Sequence, residues 1–317
     1  MIGKDLAKAI AFLEKDEVIG IPTETVYGLA GNALRPQVVA KIFEVKNRPS
    51  FDPLIVHTHA LSQVSLFVKD IPDWAEKLAK AFWPGPLTLL LPKTEAIPDL
   101  VTSGSELVGL RIPSHPLALE LLRSLSFPLA APSANPFGYI SPTTPDHVMD
   151  QLGDRIPYVL DGGPCSVGVE STIVGWHKGR PTVFRTGGIT TERLEEILGM
   201  PLDILASSSK PSAPGMLESH YAPQKPLFIG HIPTLLSAHP GKKIGVLSFY
   251  EDYAHRATRA IRLSPSQDLK EASARLFAAL RTLDKEESID LIVSEVFPEE
   301  GLGRAINDRL RRASAKR

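Results

Sequence analysis

An alternation restricts the fold more than any other feature of this chain. Between residues 18 and 204, short runs rich in β-branched and aliphatic residues recur at 18–21, 54–57, 87–91, 107–112, 129–131, 158–160, 172–176 and 182–184. Apolar residues at helical spacing fall between several of them, near 36–46, 72–82, 115–124 and 190–198. Strands that alternate with helices pack as an α/β sheet. Two of the runs, in STIVGWHKGRPTVFRT, are separated by little more than a Lys-Gly turn and read as a hairpin. The sheet is therefore expected to be mixed rather than purely parallel.

At 317 residues the chain exceeds the ~100–200 residues usual for one domain. The stretch ASSSKPSAPGMLESHYAPQKP, residues 206–226, is rich in Ser, Pro and Ala, has no sustained period and reads as a linker. After it, 243–249 and 290–296 look like buried parallel strands with a helix near 267–284 between them, and the tail from Gly303 is again helical. This divides the chain into a domain over 1–205, a linker over 206–226 and a smaller α/β domain over 227–317.

Charge and cysteine content exclude several classes. Lys and Arg total 35 against 36 Asp and Glu, so the chain lacks the basic footprint of a dedicated nucleic-acid binder. A lone cysteine, Cys165, excludes an internal disulfide and a cysteine-rich metal cage, and it fits the reducing cytosol. Near the N-terminus, Leu6, Ala9, Ile10 and Leu13 give a surface helix whose intervening charges do not fit a signal peptide. No run approaches the ~18 apolar residues of a membrane span, so a cytoplasmic protein is expected.

The chemistry-bearing residues sit where the runs end. Thr23 and Thr25 flank Glu24 just after the first run, where α/β sheets keep their ligand crevice. Lys46 and Arg48 lie either side of Asn47 before Pro49 and suit phosphate, or equally the dipole of a helix C-terminus. His57 and His59 end another run and read as ligand contacts, as structural histidines or as two ligands of a metal. Arg111 interrupts the apolar GLRIP and needs an anion, either a carboxylate or a ligand. Ser133 and Asn135 are held between prolines in APSANP, with Ser141 beyond. A glycine-rich loop over 161–172 could offer amide donors to an anion, and Arg185 adds a further cation. Neither GxGxxG nor GxxxxGK[ST] occurs nearby, so phosphates would be held by side chains.

The order PTETVYGL, KNRP, PLIVH, GLRIP, APSAN, GGPCSVGVEST and FRTG, followed by PGM…HYAP and GLGRAINDRL, resembles the threonylcarbamoyl-AMP synthase family in its longer two-domain form. The resemblance implies a twisted open mixed sheet, YrdC-like, carrying a concave basic cavity, and a second, smaller Rossmann-like α/β domain. It implies that L-threonine, bicarbonate or carbon dioxide, and ATP with Mg2+ are converted to threonylcarbamoyl-AMP and pyrophosphate. A downstream tRNA threonylcarbamoyl transferase would then accept the adenylate. Thr25, His57, Arg111, Ser171 and the Ala131 backbone would hold threonine. Arg48, Asp52, Ser133, Ser141, Arg185, Tyr221 and the Leu107 backbone would hold ATP, with Lys46 beside Arg48 on the phosphates as the catalytic pair.

Asp52 stands where the family often has Asn, so its approach to a polyphosphate calls for magnesium or a proton. The linker, with Tyr221, is expected to fold over the site. Replacing Arg48 by Ala is expected to abolish turnover and spare the fold. The rival reading is an RNA-binding or ribosome-maturation protein using the tail arginines Arg304, Arg309, Arg311, Arg312 and Arg317. A solvated helix complementing its own dipole explains those arginines more simply.

Overall fold

The computed structural model describes residues 1–205 and 220–315. The first sheet is formed by β1 (Ile2–Gly3), β2 (Ile19–Ile21), β3 (Gly28–Asn32), β4 (Ile55–His57), β5 (Leu87–Pro92) and β6 (Leu107–Arg111). It continues with β7 (Leu129–Ala130), β8 (Val159–Leu160), β9 (Thr172–His177), β10 (Arg180–Arg185) and β11 (Asp203–Ile204). Helices α1 (Leu6–Glu14), α2 (Pro36–Lys46), α3 (Leu61–Val64) and α4 (Asp73–Phe82) fall among these strands, as do α5 (Asp99–Thr102), α6 (Pro116–Ser124), α7 (Pro145–Leu152) and α8 (Thr191–Leu198). The strand order is β1-β8-β2-β3-β7-β4-β6-β5-β9-β10-β11, with parallel and antiparallel neighbours interleaved.

The pleat sorts side chains between the two faces. Val56, Leu89, Leu91 and Val174 join the core built with α2, α4 and α7, while their neighbours Ile55, Leu90 and Ile173 point the other way. On that other face α1 and α6 cover Ile19, Ile21, Ala30 and Leu129. Ile55, Leu90, Ile173 and Phe184 form a separate small cluster that contains no helical residue. This uncovered half leaves room for a cavity.

The second sheet contains β12 (Leu227–Ile229), β13 (Ile244–Ser248), β14 (Arg259–Arg262) and β15 (Leu291–Ser294), all parallel in the order β12-β15-β13-β14. α9 (Ile232–Ala238) packs on one face, while α10 (Leu269–Lys285) and α11 (Gly303–Ser314) supply the core of the other. That second core does not stop at the domain. It takes in Val26, Tyr139, Ile140 and Val169 of the first domain, together with Tyr221.

Gly168 shows how close the contact is. Its φ is +78°, and a Cβ there would lie 2.4 Å from the Ala274 Cα of α10. Beside it, Ser273 donates to the Val167 carbonyl at 2.7 Å, and Arg281 donates to the carbonyls of Ile140 and Ser141.

The hairpin turn falls at Lys178 and Gly179, both at positive φ, as its sequence requires. Helix α2 spans the expected 36–46, begun by Pro36 in its first turn and ended by Asn47 in the left-handed region. Strands β1, β3, β11, β12 and β14 were not anticipated, nor were α3, α5, α7 and α9. The expected covering segment falls largely on 206–219, outside the described residues, and only 220–226 of it can be placed.

Candidate active site

A cavity opens over the uncovered half of the first sheet. Its wall draws on Thr23 and Thr25 after β2, Arg48 after α2, His57 ending β4 and Arg111 ending β6. Ala131, Pro132 and Ser133 follow β7, Glu170 and Ser171 precede β9, and Arg185 ends β10; His220 and Tyr221 complete the wall from the connecting segment.

Arg111 answers the question its sequence poses. Its Nη2 lies 2.7 Å from Glu24 Oε1, Nη1 donates to Thr25 Oγ1 at 2.9 Å, and Nε donates to the Gly85 carbonyl at 3.3 Å. The anion is thus a carboxylate of the chain, yet the guanidinium still faces the cavity. Proton direction can be followed along the turn. Thr23 donates to the Val26 carbonyl at 2.6 Å, so the 2.8 Å contact between the two hydroxyls is a donation from Thr25 to Thr23. Thr25 keeps acceptor capacity on the cavity side.

His57 is 2% exposed; burial, with Arg111 beside it, pushes its pKa down to about 3, so the ring is neutral at pH 7. His59 is turned away, with Nδ1 3.1 Å from the Leu122 carbonyl in α6, which separates the two histidines. Among the described residues no group of three or more His, Cys, Asp or Glu could hold a metal ion.

On the other side, Arg48 donates from Nε to the Asp52 carbonyl at 3.0 Å and from Nη2 to the Pro53 carbonyl at 2.8 Å. Its Nη2 is 2.9 Å from Asp52 Oδ2. Neither Asp52 carboxylate oxygen has a donor aimed at it, so this is an ion contact without an aligned hydrogen bond. Burial pushes the Asp52 carboxyl up, against the pull of Arg48, Lys46 and Arg185. Arg185 donates to the Ser171 carbonyl from Nε and Nη2 and to Ser171 Oγ at 3.1 Å, while Ser171 Oγ also meets Thr88 Oγ1 at 2.7 Å.

Four residues assigned to ligands by resemblance lie outside the cavity wall. Lys46 is buried and donates to the carbonyls of Ser133 and Asn135, fixing the segment that carries Ser133. Burial and the neighbouring Arg48 hold its ammonium well below its ordinary pKa, with Asp52 partly opposing. Asp52 is fully buried behind Arg48 and needs no polyphosphate to explain it. Ser141 donates to Glu170 Oε1 at 2.6 Å. Leu107 begins the strand that Arg111 ends, about 13 Å away at a strand's rise per residue, and lines a separate groove with Trp74 and Trp176.

The glycine-rich loop also differs from expectation. The Gly162 amide donates to the Tyr27 hydroxyl and the Gly163 amide to the Asp161 carboxylate, so both are taken up within the chain and neither is left for a bound anion. Cys165 is buried and its thiol is pushed up to about 12 by that burial, in keeping with a structural role.

Sequence reasoning missed Glu24, Glu170 and His220. The first two adjoin Thr25 and Ser171, which was the available signal. The tail arginines are not a free basic surface. Arg304 pairs with Glu192, Arg311 with Glu299 and Arg312 with Asp308; Arg309 is fully buried against Glu170, and Arg317 lies outside the described residues.

Comparison with known proteins finds relatives of both parts of the chain. The Sua5/YciO/YrdC family model, described as "Telomere recombination", matches residues 11–187. The model described as "Threonylcarbamoyl-AMP synthase, C-terminal domain" matches residues 189–315. A Bacillus subtilis protein named threonylcarbamoyl-AMP synthase is 42% identical, over 98% of this chain and 93% of its own length. One of the same name from Pyrococcus abyssi is 38% identical, over 98% and 94%. The crystal structure of P. abyssi Sua5 complexed with L-threonine aligns at a TM-score of 0.92 and 38% identity, covering 98% of this chain and 94% of that one. Matched along both domains in sequence and in fold, the chain belongs to the threonylcarbamoyl-AMP synthase family.

Proposed function

We propose that this protein is an L-threonylcarbamoyladenylate synthase, a nucleotidyltransferase that supplies the adenylate for threonylcarbamoyladenosine in tRNA. One observation carries the reading: a polar cradle formed by Thr25, His57 and Arg111 shares one cavity with the buried guanidinium groups of Arg48 and Arg185. The cradle has the polarity for a small zwitterion, and the arginines suit phosphate oxygens. In this reading residues 1–205 carry the chemistry, 206–226 connect and 227–317 form the second domain.

Threonine is assigned to Thr25, His57, Arg111, Ala131 and Ser171. ATP is assigned to Arg48, Ser133, Arg185 and Tyr221, with Lys46, Asp52 and Ser141 supporting from behind. Threonine enters as the free amine, its nitrogen attacks carbon dioxide derived from bicarbonate, and one proton leaves with the water released overall. A carbamate oxygen then attacks the α-phosphorus, and the bond to pyrophosphate breaks. No enzyme nucleophile is needed, so rate enhancement comes from holding the two substrates together and offsetting phosphate charge. A neutral His57 can accept a hydrogen bond from substrate without adding charge.

Magnesium enters as part of the MgATP substrate, since the nearby carboxylates of Asp52 and Glu170 are each held by an arginine. The product, a mixed anhydride, is suited to transfer by a downstream enzyme in the cytoplasm. No helix among the described residues is long and apolar enough to cross a membrane. The test is pyrophosphate release with ATP, magnesium, bicarbonate and threonine, each omitted in turn. Release requiring all of them is expected; release without threonine would overturn the reading.

A further inference from the structure

Among the described residues lining the cavity Glu170 is the acidic one, and its neighbours Ser141 and Arg185 belong to the set assigned to the nucleotide or its support. An ionised carboxylate beside a triphosphate opposes binding by like charge. Its surroundings show how the chain deals with this. Glu170 Oε1 accepts from Ser141 at 2.6 Å, and Oε2 accepts from Arg309 Nε at 2.8 Å. Arg309 comes from α11 of the second domain, is fully buried and donates from Nη1 to Asp308 at 2.7 Å. Its guanidinium also lies 5.3 Å from the centre of the Tyr221 ring, another part of the wall.

From these contacts we infer that Arg309 is a positioning residue for the nucleotide: it neutralises Glu170, turns that carboxylate away from incoming phosphates and backs the Tyr221 ring. Arg309 is not itself part of the cavity wall. It acts through two residues that are. The electrostatics agree with the geometry. Burial would raise the Glu170 carboxyl, but Arg309, Arg185 and the Ser141 hydrogen bond lower it, so Glu170 is an anion that needs its partner. Around it stand Ser141 and Arg185 from the first domain and Arg309 with Asp308 from the second. Removing one member of such a buried pair leaves an uncompensated charge, whereas removing both charges does not.

The inference rests on the assignment of ATP to this cavity, and its test separates the two. Steady-state pyrophosphate release is measured for the wild type, Arg309→Met, Arg309→Lys and Arg309→Met combined with Glu170→Gln, with melting temperatures alongside. In Arg309→Met the KM for ATP is expected to rise at least about tenfold while the KM for threonine stays within about threefold. Adding Glu170→Gln is expected to recover most of the ATP affinity. An unchanged ATP KM, a rise of equal size for both substrates, or a rise that Glu170→Gln does not relieve would overturn the inference. If Arg309→Met does not fold, Arg309→Lys decides: it keeps the charge without the planar fork, and a smaller rise confined to ATP is expected. A wild type inactive with ATP and threonine would instead remove the underlying assignment.

Discussion

Around the first sheet, Arg111 and Arg185 at strand ends and Arg48 after α2 are buried and face a cavity, whereas the second sheet turns its polar groups back on itself. Ser248 donates to the Glu251 carbonyl at 2.7 Å and Ser294 to the Leu247 carbonyl at 2.9 Å. Both serines are fully buried, as the first sheet's charges nearly are, so burial alone does not distinguish the two places. The difference is in what the groups are left to meet. Buried ion pairs contribute little net stability compared with apolar packing, so several of them around one open space point to a ligand. The second sheet has satisfied its hydroxyls locally and is built for packing; it affects the site through α10 and α11.

The largest test of that contrast is Arg48→Ala. Pyrophosphate release is expected to fall at least about a hundredfold, with a loss of roughly 3–5 kcal/mol in denaturant unfolding because Asp52 loses its counter-ion. This revises the expectation that the fold would be spared. Adding Asp52→Asn should recover stability without recovering turnover, and recovered turnover would show that the cavity does not need the cation. A middle-sized effect is expected at the domain contact. Gly168→Ala puts a methyl against the α10 backbone at positive φ, so a loss of about 1–3 kcal/mol and a partial loss of activity should appear together. Unchanged melting would mean that the second domain sits less tightly than Gly168 requires. The smallest effect belongs to Ser248→Ala, about 1 kcal/mol or less in stability with turnover unchanged. A clear loss of turnover there would give the second sheet a part in the chemistry.

Much of the architecture was legible because local sequence and tertiary packing agree. The runs at 87–91 and 172–175 are apolar or branched because every residue in them is buried, and only Trp176 at the end of the second is exposed. Strand β3, GLAGN, shows the opposite case. Its small residues carry no strand propensity, but a Cβ at Gly31 would lie 2.6 Å from Val38, so it is small to let α2 approach. In the second domain β14 carries Arg259 and Arg262 on an exposed edge and does not read as a core strand. Helix α7 did carry a signal, Thr144 capping before Pro145, but it is short and polar and was passed over.

At the site, the residue types were readable and their pairings were not. Arg111 announces that it needs an anion, but its partner Glu24 lies on a different strand connection and only the fold brings them together. Lys46 and Arg48 were read as one cationic pair. The structure separates them, because Lys46 ends its helix pointing at backbone carbonyls while Arg48 lies beyond the left-handed Asn47.

The contact between Glu170 and Arg309 joins positions 139 apart in sequence. Closing a loop of that length costs on the order of 4 kcal/mol of chain entropy, which the docking of α10 and α11 must outweigh before the contact persists. The charge balance of the cavity therefore depends on the meeting of the two domains as well as on the first sheet. A chain whose first sheet has formed but whose domains have not met has the cavity's arginines in place and its carboxylate still unpaired. Competence for a polyanionic substrate then arises at docking, as a property of long-range contacts between the domains.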